Sequence, residues 1–170
     1  MDFMELAKER YSCRKFSDKE VEQEKIEKIL EAGILAPTAV NKQPFKIWVL
    51  KSEDAISKIS QVTNYTFGAK LVFVIGADEN EAWVRPFDNK NYAEIDTSIV
   101  ATHMMLEVQN LGLGTTWIGY FDTAKLIELF PEMSKFSHCV LFPVGYPAED
   151  AQPSPKHTQR KSKEELVTVL

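Results

Sequence analysis

The chain has 170 residues, 44% hydrophobic, 11% aromatic and 26% charged, with a formal net charge of −5. At about 150 residues per domain this is one globular domain, too rich in aromatic and aliphatic residues to be disordered and, with 7 Gly and 8 Pro, not fibrous or low-complexity. The acidic balance excludes a nucleic-acid footprint, two cysteines (Cys13 and Cys139) cannot build a disulfide framework or a cysteine metal site, and no apolar run approaches the roughly 18–20 residues that span a bilayer.

The first residues carry acids where a signal peptide needs an apolar core, so a cytoplasmic location is expected, with no membrane and no nucleic-acid partner. Phe3 to Arg10 reads as a short helix burying Phe3, Leu6 and Ala7. Ser17 or Asp18 is placed to cap a helix over Val21–Leu35, with Val21, Ile26, Ile29, Leu30 and Ile34 inward. Pro37 and Pro44 bracket a loop through which no helix can run. Phe45–Leu50 follows as a strand and Glu53–Val62 as an amphipathic helix. Leu71–Ala77 is a near-continuous apolar run, the pattern of a strand covered on both faces. Residues 78–91 are irregular and short for a lid.

Tyr92–Leu111 is apolar around almost its whole circumference, so this helix is central or sits in a subunit interface; His103 within it reads as a core or interface histidine. Gly112 closes it as a C′ glycine. Gly114–Gly119 reads as a strand ending in a loop, Lys125–Phe130 as a helix, and Cys139–Tyr146 as the last strand. From Pro147 the chain becomes a proline-rich, then basic arm with an apolar end, expected to dock on another subunit. The fold class is α+β.

Four polar stretches interrupt this plan. Arg10-Tyr11-Ser12-Cys13-Arg14 offers forked donors suited to a phosphate or carboxylate, or else forms a solvated turn. Between the prolines, Asn41 and Gln43 each present a donor and an acceptor able to read a heterocycle edge. In Gly114-Thr115-Thr116-Trp117-Ile118-Gly119-Tyr120, Gly119 permits close backbone approach to a flat ligand. The arm adds His157, Arg160 and Lys161 as anion ligands. Walker, nucleophile-elbow and His-Glu-x-x-His motifs are absent, and Cys13 has no histidine partner to make it a nucleophile. A reactive group, if there is one, comes from a cofactor, with no catalytic side chain and no metal.

Taken together and in this order, these stretches resemble the FMN-dependent nitroreductases: Arg10-x-Ser12-x-Arg14, the Pro-Thr-Ala-x-Asn-x-Gln-Pro loop, Leu-Gly-Leu-Gly-x-x-Trp-Ile-Gly, Pro143-Val144-Gly145-Tyr146-Pro147, and Arg160-Lys161 before Glu-Glu-Leu-Val. The resemblance implies a central, mainly antiparallel sheet flanked by helices in an intertwined homodimer. It implies one FMN-binding domain over residues 1–170, with the arm 148–170 packed on the partner. Arg10, Ser12 and Arg160 would grip the FMN phosphate, with His157 as a second basic ligand and Tyr11 beside them. Arg14 would lie toward the ribityl chain and the N1–C2=O edge. Pro37, Thr38 (a serine in most relatives), Ala39 and Asn41, with Gln43, would come from the second subunit. The backbone of Gly119 and Tyr120, after Trp117 and Ile118, would face N5 and O4; Gln61 and Asn64 would touch the ribityl or pyrimidine portion. The implied activity is ping-pong hydride transfer from NADH or NADPH to a small electron acceptor such as a nitroaromatic or quinone. The alternatives are other flavin chemistry in the same fold (reductive dehalogenation, flavin cleavage) or a flavin-storing protein without turnover.

Overall fold

A computed structural model describes residues 2–170 of the chain. At its centre, β1 (Phe45–Leu50), β2 (Leu71–Ala77), β3 (Gly114–Thr115) and β4 (Ser137–Gly145) form one sheet in the order β1-β2-β4-β3, every pairing antiparallel. All seven residues of β2 are buried, and the period of two sends them to opposite faces. Leu71, Phe73 and Ile75 pack with Phe142 and Val144 beneath α2 (Gln23–Ile34) and α4 (Ala93–Asn110). Val72 and Val74 join Leu141 under α3 (Glu53–Val62) and α5 (Thr123–Leu129). Helices therefore cover both faces, as the apolar run requires.

α2 and α4 cross closely because Gly33 has no side chain: a Cβ there would lie 2.9 Å from Cγ of Met104. α4 ends in a Schellman motif, with the Leu113 amide donating to the Val108 carbonyl and the Gly112 amide to Gln109 (both 3.0 Å), while Gly112 takes a φ of 72°. Only one face of α4 is buried within the chain; Ile95, Ile99, Met105 and Leu106 are half-buried, and His103 is exposed rather than in the core.

Other expectations need correction. α1 (Phe3–Glu9) forms against α4 but buries none of its residues, and Phe3 is 62% exposed. α2 begins later than expected, after Glu22 rather than Ser17 or Asp18, and Ile34 in its last turn is exposed. α5 starts at Thr123, capped by the Asp122 side chain, and ends before Phe130. The strand expected over 114–119 stops at Thr115. Ile118 exchanges both backbone hydrogen bonds with Leu141, at 3.1 and 3.0 Å. Two residues along the same register Thr116 would exchange with Pro143, which has no N–H, so the ladder breaks there. In β4 a bulge opposite Ile75 and Gly76 leaves Cys139 unpaired.

Within residues 78–91, Val84 bridges Asn91 and the Arg85 guanidinium grips both oxygens of Asp88, which leaves Phe87 94% exposed. The arm beyond Pro147 carries one short helix, α6 (Lys163–Leu166). Among the described residues no helix is long and apolar enough to cross a membrane.

Candidate functional site

Arg10 is the residue on which α1 ends, its amide donating to the Leu6 carbonyl at 3.0 Å. The chain then runs extended along the sheet: Ser12 bridges Thr115 in parallel, and the Cys13 amide donates to the Thr115 carbonyl at 2.9 Å. The arm returns to this corner. The His157 ring places Nε2 3.1 Å from the Lys8 carbonyl and stands edge-on to Tyr11, centroids 6.4 Å apart. Arg160 donates to the carbonyls of His157 and Gln159 at 2.6 and 2.7 Å. The structure thus gathers Arg10, Tyr11, Ser12, His157 and Arg160 from the two ends of the chain.

The electrostatics of this corner are those of a cation cluster without its anion. Burial lowers the pKa of Arg10, and the charge on Arg160 lowers it further. Burial raises the Tyr11 phenol, with Cys13 adding to the shift. Among the described residues no carboxylate lies within 4.0 Å of Arg10, Arg14 or Arg160, although acids outnumber bases in the chain. The Oγ1 of Thr115, opposite Ser12, is buried without a hydrogen-bond partner among the described residues.

A second group forms a cavity of about 410 Å³ lined by Gln61, Thr63, Asn64, Gly119, Tyr120 and Asp122, among others. Thr63, which the motifs do not single out, ties its two walls by donating from Oγ1 to the Tyr120 carbonyl at 2.8 Å; the Asp122 amide donates to Val62 at 3.0 Å. A Cβ built on Gly119 would meet nothing within 4 Å, so a flat group can approach its backbone. Tyr120 is 79% exposed with its ring edge-on to Tyr65, while Gln61 turns back to the Ser57 carbonyl at 3.3 Å. Trp117 rests on Phe142. Ile118 has its side chain in the core and both peptide groups bonded to Leu141, so it offers no free polar group and serves as the anchor of the loop. A larger cavity, about 480 Å³ beside Phe16, Val21 and Lys70, contains none of the candidate residues.

The third group shares no side-chain hydrogen bond with the other two among the described residues. Val40, Asn41 and Gln43 of the proline-bracketed loop have φ of 46°, 55° and 52°. For a β-branched valine the left-handed region costs about 1–2 kcal/mol, so the surroundings must impose it. Thr38 Oγ1 accepts the Gln43 amide at 3.0 Å, and Gln43 Nε2 donates to the Asn41 carbonyl at 3.3 Å. The tie to the core is Asp96 on α4, whose Oδ1 accepts the Ala39 amide at 3.0 Å. Pro37, Asn41 and Gln43 are exposed, and Thr38 and Ala39 half-buried. Asp96 escaped the motif reading; an acid among the apolar positions of a central helix was its signal.

Cys13 is fully buried with its thiol against the Lys15 carbonyl, so the cysteine between the arginines is a packing group. What the surface presents instead is a cluster of cationic and hydroxyl donors and an open backbone edge. Unpaired guanidiniums, an imidazole, a serine hydroxyl and the free space over Gly119 match the donor set and shape that a phosphorylated flat heterocycle requires.

The Nitroreductase family model matches residues 7–67 and 63–146. A protein of Methanothermobacter thermautotrophicus, provisionally named an NADH dehydrogenase/NAD(P)H nitroreductase, is 31% identical over 157 residues, spanning 88% of this chain and 80% of that protein. The crystal structure of a nitroreductase family protein of Clostridium difficile superposes with a TM-score of 0.91 at 37% identity, covering 99% of this chain and 98% of the other. A nitroreductase-type structure from Exiguobacterium sibiricum, solved in complex with FMN, shares the fold with a TM-score of 0.84 at 20% identity over 100% and 98% of the chains. With the family model covering most of its length, the chain belongs to the nitroreductase family.

Proposed function

We propose that the protein is a cytoplasmic FMN-dependent oxidoreductase that passes hydride from NADH or NADPH to small electron-poor acceptors such as nitroaromatics or quinones, in ping-pong turnover. The observation that carries this reading is the pairing of Arg10 with Arg160 without a carboxylate within reach of either among the described residues. Two adjacent guanidiniums suit a phosphate, which restores to Arg10 the stabilisation that burial and Arg160 remove. Ser12 and His157 add a hydroxyl and an imidazole on the same corner. Bound FMN would supply the hydride chemistry, so no side chain of the chain need act as nucleophile.

The residues of the chain bind and orient. Arg14, exposed and held only loosely to the Ser12 carbonyl at 3.4 Å, would bring positive potential to the pyrimidine edge of the ring system. The Gly119–Tyr120 backbone would line the opposite edge, with Gln61 and Asn64 beside the ribityl chain. Pro37, Thr38, Ala39, Asn41 and Gln43 would complete the site from the second copy in a homodimer. The exposed Phe3, Met4, Leu35, Val169 and Leu170 support that assembly, since so much apolar surface is costly in a lone chain.

Titration of apo protein with FMN, followed by anaerobic NADH or NADPH and then a nitroaromatic or quinone, tests the reading. Uptake of flavin, loss of its visible absorbance with reductant and its return with acceptor are expected. Failure to take up FMN overturns the reading; bound flavin that neither nucleotide bleaches leaves a storage protein, and bleaching that neither acceptor reverses leaves other flavin chemistry in the same fold.

A further inference from the structure

We infer that Asp96 is a positioning residue for the flavin site, fixing the loop 37–43 in the shape in which it meets the cofactor; this rests on the FMN reading above. The loop carries three non-glycine residues in the left-handed region, two of them the consecutive Val40 and Asn41. Such a stretch does not hold itself. Its internal bonds, Gln43 amide to Thr38 Oγ1 and Gln43 Nε2 to the Asn41 carbonyl, join the loop only to itself. The one side chain from outside that accepts from the turn at Ala39–Asn41, among the described residues, is Asp96, through the Ala39 amide at 3.0 Å.

Asp96 is placed to do this firmly. It lies one turn into α4, its own amide bonded to the Tyr92 carbonyl at 2.9 Å, and only 2% of it is exposed. Its second oxygen, Oδ2, is buried without a hydrogen-bond partner among the described residues. A carboxylate half-satisfied in the interior is a poor stabiliser of the fold, because desolvation of the orphaned oxygen opposes the bond made by the other. The role that suits it is to order a strained loop, one made ahead of binding so that the cofactor does not bear that entropic cost.

The test compares wild type, Asp96→Asn and Asp96→Ala in three measurements: FMN affinity, inorganic phosphate affinity, and the rate at which trypsin cuts the apo protein after the exposed Lys42. Alanine should weaken FMN roughly 10- to 100-fold, the worth of a hydrogen bond to a charged group. It should leave phosphate binding at the Arg10 corner unchanged and speed cleavage at Lys42. Asparagine, whose amide oxygen can accept the same N–H, should restore FMN affinity to within about threefold and protect Lys42. If the alanine variant does not fold, Asp96→Leu, close in size and without polar atoms, carries the comparison. Wild type that takes up no FMN overturns the parent reading and this one with it. Wild type that binds FMN while the alanine variant binds it equally well overturns this inference alone. So does a parallel loss of FMN and phosphate affinity, which marks general destabilisation, or an asparagine variant as weak as alanine.

Discussion

Arg160 stands near enough to Arg10 to depress the pKa of its guanidinium, on top of the effect of burial. Like charges brought together without a counter-ion destabilise a fold, and under the proposed function the FMN phosphate supplies that counter-ion. Arg10→Ala is expected to weaken FMN by about 1.5–3 kcal/mol, the scale of a lost charge-assisted hydrogen bond, without lowering the melting temperature of the apo protein. Inorganic phosphate should raise the melting temperature of wild type and not that of the variant. An unchanged dissociation constant would return residues 10–14 to the status of a solvated turn.

Gly114 and Cys13 test how the clamp is mounted. A Cβ on Gly114 would lie 2.7 Å from Cys13 Cβ and 2.8 Å from its Sγ, so Gly114→Ala forces the two backbones apart. The expected loss is about 1–3 kcal/mol of stability in urea denaturation. FMN affinity should fall as well, because Ser12 is held through the neighbouring Thr115 bridge. Adding Cys13→Ala removes only the Sγ contact and should recover part of the loss, which a double-mutant cycle reads directly. Cys13→Ser alone should leave turnover within roughly threefold, since the thiol is buried and donates to the Lys15 carbonyl. Loss of turnover with flavin still bound would reveal a thiol mechanism.

The limits of the sequence are as informative as its reach. Leu71–Ala77 announces its strand and its coverage on both faces because seven apolar residues in a row leave no solvent side, and Gly112 announces the end of α4 because few other residues take its φ. The stop of β3 at Thr115 was hidden, since Pro143 interrupts the ladder only once the register places it opposite Thr116. The exposed faces of α1 and α4 were legible as apolar, but not what covers them. At the site, the order of motifs grouped Arg10 with Arg160 where spacing along the chain could not. Asp96 and Thr63 stayed unread because their roles are single contacts to backbone atoms that no short motif encodes.

His138 makes stability depend on mild acid. Burial lowers the pKa of its imidazole from the ordinary 6.5, with the Met133 backbone opposing in part. Below 6.5 the unfolded chain binds a proton that the folded chain refuses, so this contribution is complete above that pH and is lost as the pH falls toward the depressed folded value. Glu22 acts in a lower window: the Tyr146 hydroxyl, chiefly, holds it at about 2 against an ordinary 4.5, so its share persists above 4.5 and goes only in strong acid. The urea midpoint of wild type should therefore drop between neutral and mildly acid pH, and His138→Leu should flatten that drop. An identical slope in the variant would assign the drop to other groups.

The last prediction concerns which chains supply the two halves of one site. Within a single chain the side-chain hydrogen bonds of the loop 37–43 run to itself and to Asp96, and among the described residues none reaches Arg10, Ser12 or Arg160. In the proposed homodimer the loop comes from a second copy, and two-fold symmetry then places two equivalent sites across the interface. One chain carrying Arg10→Ala and Arg14→Ala and another carrying Thr38→Ala and Asn41→Ala should each bind flavin poorly as homodimers. In a purified heterodimer both lesions fall in one site and the other is assembled from intact halves, so flavin should return to about half of the sites. The measurement is flavin absorbance per protein in heterodimer isolated with two different affinity tags, with circular dichroism showing that each homodimer is folded. A heterodimer as empty as its parents would mean that clamp and loop serve the same chain, and would overturn the shared site.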